Sequence, residues 1–185
     1  TGTKVFTSLS PAWTRLLTFG ADSESSDAPK SVFAILRRED GGVTIKDDWY
    51  VLGMRGTQSN TTLLEGASVK AEQVLGRVDP GPNLDPVVLG IFANFEILLA
   101  ATYAGVGERA IEVAVEHVKK RRSVMNQTTY SNDPAIRWRL AEAALLMNAV
   151  GPQIREMAAL VESDAEPNLG WLPRLSAVKN AASEA

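Results

Sequence analysis

Residues 49–76 read WYVLGMRGTQSNTTLLEGASVKAEQVLG, and this stretch decides the fold because it lies where a β-rich half of the chain gives way to a helical half. Gly53 and Gly56 flank Met54 and Arg55, which marks a tight turn. Thr57, Ser59, Asn60, Thr61 and Thr62 follow with short polar side chains. Segments 61–64 and 67–70 have the composition of two short strands, broken at Glu65 and Gly66. A polar rim punctuated by glycine suits a binding site. It equally suits a β-turn in which Ser and Thr hydroxyls satisfy nearby backbone groups. Arg55 is expected to brace this turn by hydrogen bonds, with contact to a substrate as its lesser role.

Working back toward residue 1, short β-type runs alternate with turn signals: 3–8, 16–21, 31–36, 43–45 and 50–51. Asp40, Gly41 and Gly42 separate two of these runs and predict a hairpin whose glycines permit positive φ. Residues 22–30 are polar and predict a mobile surface loop. Residues 1–78 thus predict a small antiparallel β-barrel or sandwich domain. The segment DPGPNLDP at 79–86 has three prolines and one glycine, which forbid regular structure and place a domain boundary there.

Residues 79–185 predict a helical domain. Phe92, Phe95, Leu99, Thr102, Val106, Ala110 and Val113 recur at spacings of three and four, the mark of a long amphipathic helix ending near Arg122. Its centre, 97–106, is apolar on most sides and is expected to be buried between other helices. Gly105 and Gly107 lie within it, so they read as sites of close helix packing and not as a dinucleotide fingerprint. Asp133 before Pro134 predicts an N-cap followed by proline at the first helical position. A second helix then runs through Ile136, Leu140, Ala144, Met147, Ile154 and Val161. Pro167 and Pro173 predict a loop containing Trp171, with a third helix after it. The fold class expected is α+β, an antiparallel barrel followed by an antiparallel helix bundle.

Composition narrows the function. The 185 residues are 45% hydrophobic and 22% charged, as in a globular chain. A net charge of −3 supplies no electrostatic footprint for nucleic acid. Absent cysteines exclude disulfides and thiolate chemistry, and the lone His117 makes a metal site improbable. No apolar stretch was found that reaches the roughly 18 residues of a membrane span, so no membrane partner and a cytoplasmic location are expected. The chain begins at Thr1 within a strand-like run and still reads as helix at its end, which predicts a piece of a longer polypeptide.

Stretch 49–76, with its Trp, Leu-Gly-Met-Arg turn, Ser/Thr run and Leu-Gly exit, resembles the end of the middle β-domain of the acyl-CoA dehydrogenase family. GTKVFTSLSP at 2–11 is similar to the start of the flavin-facing strand of that domain. The resemblance covers nearly the whole chain but only the middle domain and the first part of the C-terminal helical domain of the family. It implies FAD as cofactor, an acyl-CoA substrate, an electron-transferring flavoprotein or similar acceptor, and a homodimer or homotetramer.

It also implies site residues. Phe6, Thr7 and Ser8 match the strand against the flavin ring, where an aromatic side chain covers the ring and a hydroxyl reaches its reactive edge. Arg121, with Ser123 beside it, matches the helix end that reaches the partner subunit's flavin dinucleotide. The Phe-Gly that follows in the family is Val124-Met125 here. By its residues alone, the Lys119–Arg122 run is a solvated basic helix end favoured by the macrodipole. Glu96 falls one position from the helix carboxylate that serves some members as base, and its sequence neighbours are apolar. It reads as a base, a substrate contact or a carboxylate favoured near a helix start. Three functions share these residues: acyl-CoA dehydrogenation, monooxygenation on the same scaffold, and a non-catalytic paralogue.

Overall fold

The computed structural model describes residues 1–22 and 29–185, so most of the loop expected at 22–30 lies outside the described residues. The chain forms two compact units, Thr1–Asn83 and Leu84–Ala185.

In the first unit six strands are laid out: β1 Gly2–Lys4, β2 Arg15–Ala21, β3 Ser31–Arg37, β4 Val43–Ile45, β5 Thr62–Leu64 and β6 Val74–Val78. They make two antiparallel three-stranded sheets, ordered β1-β5-β4 and β2-β3-β6. The expected β module is therefore present as a two-sheet sandwich, and no ladder closes it into a ring among the described residues. Alternation sets its core: Ala34 and Leu36 of β3 and Leu64 of β5 are buried and line one cavity between the sheets. Phe19 and Phe33, partners across β2 and β3, stack with ring centroids 5.5 Å apart.

Three expectations about this unit are corrected. The hairpin at 40–42 does not form, because β3 and β4 belong to different sheets. Residues 38–40 make a 3-10 turn, and Gly41 (φ 85°) and Gly42 (φ 71°) carry the chain across from one sheet to the other. The run at 3–8 ends as a strand at Lys4, since Phe6 (φ 55°) and Leu9 (φ 58°) turn left-handed. Segments 50–51 and 67–70 are irregular, and the strand that completes the second sheet is β6. Its polar approach hides it: the buried Gln73 donates from Nε2 to the Ile35 carbonyl at 3.1 Å and ties the segment to β3.

Helices α1 Pro86–Lys120, α2 Pro134–Glu162 and α3 Trp171–Glu184 form the second unit and pack on one another. Two begin on aspartate caps. Asp85 accepts from the Val87 N–H at 2.9 Å, and Asp133 from the Ala135 N–H at 2.8 Å, each before a proline whose missing N–H costs nothing there. Trp171 is the first residue of α3, not part of the loop before it, and is buried in the core. Pro173 sits in the first turn of that helix, where it interrupts no hydrogen bond.

The core face of α1 is not the expected stripe. Leu89, Ala93, Glu96, Ala100 and Ala104 are buried, whereas Phe95, Val106 and Val113 are exposed. Small side chains explain the choice, because they bring the helices closer than the large apolar ones could. A Cβ placed on Gly107 would stand 2.2 Å from Met147 Cε, so this glycine does mark close packing, while Gly105 faces open space. By length and composition alone α1 is apolar enough to cross a membrane, its most apolar 18 residues having a mean hydropathy of 1.8, which corrects the expectation that no stretch of the chain reaches that threshold.

Candidate functional site

Two turns of the first unit, residues 6–10 and 54–60, are bound into one rim. The Leu9 N–H donates to the Thr57 carbonyl at 2.7 Å and the Ser10 N–H to the Gln58 carbonyl at 3.2 Å. Ser10, fully buried, donates its hydroxyl to the same Gln58 carbonyl at 2.7 Å and accepts from Asn60 Nδ2 at 3.0 Å. Asn60 Oδ1 in turn accepts the Asp48 and Trp49 N–H groups, each at 3.1 Å. Asp48 closes the chain of contacts by accepting the Thr61 N–H at 2.8 Å. That bond, helped by the Thr61 hydroxyl and the nearby Lys46, holds the Asp48 carboxyl below the usual aspartate value. Ser10, Asn60 and Asp48 had not been singled out as partners. The signal that could have found them is the density of short polar residues with no exposed role.

Phe6, Thr7 and Ser8 sit on this rim in a turn, not on the strand that the sequence suggested. The Phe6 ring is 74% exposed and stands edge-on to Trp49, with centroids 6.1 Å apart. Thr7 is buried, and its hydroxyl donates to the Lys4 carbonyl at 3.4 Å. The Ser8 and Ser59 hydroxyls are 2.9 Å apart, and Ser59 donates on to Thr57. An open aromatic face is what would cover a flavin ring, so Phe6 fits that group; because Ser59 donates to Thr57, Ser8 is the donor in its contact with Ser59 and would serve a flavin only by turning that hydroxyl outward, whereas the Thr7 side chain is turned inward.

Glu96 lies on the core side of α1 between Ala93 and Ala100, only 9% exposed. Its Oε2 has no hydrogen-bond partner among the described residues. A buried acid oxygen left unpaired costs free energy, about 1–3 kcal/mol for such a group. Arg121 caps the other end of α1. Its guanidinium lies 5.4 Å from the centre of the Tyr130 ring, and Nη1 is 3.5 Å from His117 Nε2. Ser123 is occupied within the loop that follows: its N–H donates to the Thr128 carbonyl and its hydroxyl accepts the Asn126 N–H at 3.1 Å. Glu96 and Arg121 are 25 residues apart on one rod, about 37 Å at 1.5 Å per residue. No single chain brings them to one small pocket.

Comparison with known proteins places this arrangement. The family described as acyl-CoA dehydrogenase, C-terminal domain, matches residues 86–185, more than half of the chain. Dibenzothiophene monooxygenase of Mycolicibacterium goodii is 26% identical over 178 residues, covering 88% of this chain and 41% of that protein. Among solved structures, butyryl-CoA dehydrogenase from Megasphaera elsdenii superposes with a TM-score of 0.81 at 21% identity, covering 99% of this chain and 45% of the other. TdsC from Paenibacillus sp. A11-2, solved with FMN and indole, superposes with a TM-score of 0.75 at 22% identity, covering 99% and 50%. The chain thus spans half or less of the length of each protein that it resembles here. With capped helices where that family's helical domain begins and a β module before them, the chain belongs to the acyl-CoA dehydrogenase family.

Proposed function

We propose that the complete protein is a flavin-dependent oxidoreductase that dehydrogenates an acyl-CoA thioester at its α and β carbons. The observation that carries this reading is Glu96, a buried carboxyl with one oxygen unpartnered among the described residues. Such a group is placed to take the α-proton, because a carboxylate shielded from water and bound to no neighbour keeps its lone pairs for substrate. FAD, when bound, would accept the β-hydrogen as hydride. Phe6 would cover its ring, and the Ser8 hydroxyl, turned away from Ser59, would donate toward the reactive edge. Arg121, already placed over the Tyr130 ring, would offer its remaining donors to the dinucleotide of a second copy, with Ser123 holding the loop beside it. The protein would then work as a homodimer or homotetramer in the cytoplasm, with an electron-transferring flavoprotein or similar acceptor, and with residues 1–78 and 79–185 as its β and helical domains.

One finding favours a second reading. The relative that aligns over 88% of this chain is named a monooxygenase, and TdsC was solved with FMN and indole. On that reading the same scaffold would oxygenate a small heterocycle, amine or phenol, and Glu96 would contact substrate without abstracting a carbon-bound proton.

The two separate in one experiment on the full-length protein. Under anaerobic conditions an acyl-CoA should bleach the bound flavin, and Glu96→Gln should slow this bleaching at least about 100-fold, as expected for loss of a general base. Bleaching that requires a flavin reductase and reverses quickly in oxygen would replace the first reading with the second. A protein that binds no flavin would remove both.

A further inference from the structure

The rim of the first unit carries a feature that neither reading uses. Residues 49–58 fold back on themselves: Trp49 Nε1 donates to the Met54 carbonyl at 3.0 Å, and Arg55 Nε donates to the Val51 carbonyl at 2.9 Å. Between them lies a hollow of about 620 Å³ lined by Trp49, Tyr50, Val51, Leu52, Arg55 and Gln58. Its walls are mixed. Tyr50 is 82% exposed and Leu52 96%, so a large aromatic ring and a leucine meet solvent at a place where nothing in the unit needs them. Arg55 is fixed through Nε alone. Neither of its terminal nitrogens has a hydrogen-bond or ion-pair partner among the described residues.

Backbone strain is concentrated at the same place. Met54 (φ 56°) and Gln58 (φ 45°) are left-handed although neither is glycine, and Phe6 and Leu9 on the adjoining turn are left-handed too. Each such residue is strained and persists only where its surroundings hold it. Here the surroundings do hold it, through the Ser10–Asn60 and Asp48–Thr61 bonds beneath the rim. The result is a guanidinium presented at a set angle over a ring-lined hollow.

We propose that this hollow binds a small planar anion, with an aryl ring against Trp49 and Tyr50 and a carboxylate or phosphate taken by the two free nitrogens of Arg55. A fork of two parallel N–H donors matches the two oxygens of such a group, and an aromatic wall rewards a flat partner over an aliphatic one. The inference goes beyond the proposed oxidation and does not depend on it.

Phenyl phosphate and benzoate are suitable probes, with benzyl alcohol as the uncharged control, titrated into the 185-residue chain while the Trp49 indole N–H resonance is followed by NMR. Saturable binding of both anions, and at least tenfold weaker binding of benzyl alcohol, is expected. Arg55→Gln should weaken the anions at least tenfold. Because Arg55 also braces the turn, Tyr50→Ala serves as a second variant, since that ring has no fold-keeping contact: it should weaken the anions severalfold with the far-UV spectrum unchanged. Absence of saturable binding, binding indifferent to charge, or anion binding unaltered in Tyr50→Ala would each overturn the proposal.

Discussion

A carboxylate can be useful because it is satisfied or because it is not, and Asp48 and Glu96 show the two cases. Asp48 is exposed yet engaged, and the bonds from Thr61 favour its charged form. Since its folded-state pKa lies below the ordinary value of 3.8, its contribution to stability is present in full above that value and is lost as pH falls through the lower folded one. Urea unfolding of wild type and Asp48→Asn should therefore differ in midpoint by a constant amount near neutrality. The gap should close as pH falls below 3.8 and through the lower folded-state value. A gap that stayed constant through that range would mean that the Thr61 contact does not depend on charge. Glu96 is the opposite case, buried and half unpaired, and its position was legible in the sequence as an acid amid apolar residues. The rim at 54–58 was less legible. Gly53 and Gly56 marked the tight turn, yet the chain places positive φ on Met54 and Gln58, where local propensity argues against it and long-range bonds decide.

At the level of elements, glycine was read correctly where only glycine fits and misread where its consequence was topological. Gly41 and Gly42 do adopt positive φ, but they link two sheets where a hairpin was expected, because sequence gives turn geometry without saying which strands will pair afterwards. Gly42 is the more constrained. A Cβ there would lie 2.6 Å from the Ala67 nitrogen and 2.8 Å from the Glu65 carbonyl oxygen, both backbone atoms unable to step aside. Gly42→Ala should lower unfolding stability by about 2–4 kcal/mol, with Gly53→Ala, which meets open space, near wild type. Equal chemical-denaturation midpoints for the two variants would refute this account of the crossover. The helix cap at Asp133 behaved as a local signal should, since a cap needs only its own next two residues; the same signal at Asp85 was passed over as linker. The core stripe of α1 did not behave so. The centre of that helix is apolar on most sides, so periodicity cannot choose a face there, and the choice falls to alanine and glycine through close approach to Met147 and its neighbours.

At the scale of the whole molecule, the α+β class and the order of strands then helices followed from where period-two patterning stops and period-three-and-four patterning starts. The choice between barrel and sandwich was left open by the sequence, because ring closure depends on pairing between distant strands. The span of α1 has its own consequence. Some 37 Å of stiff helix separates Glu96 from Arg121, so a pocket needing both must draw them from different copies of the chain. If that is how the protein works, two crippled variants should rescue each other. Co-assembled Glu96→Gln and Arg121→Ala subunits would regain turnover through the hybrid pocket that inherits neither lesion, and mixtures no more active than their parents would show that every copy is self-sufficient.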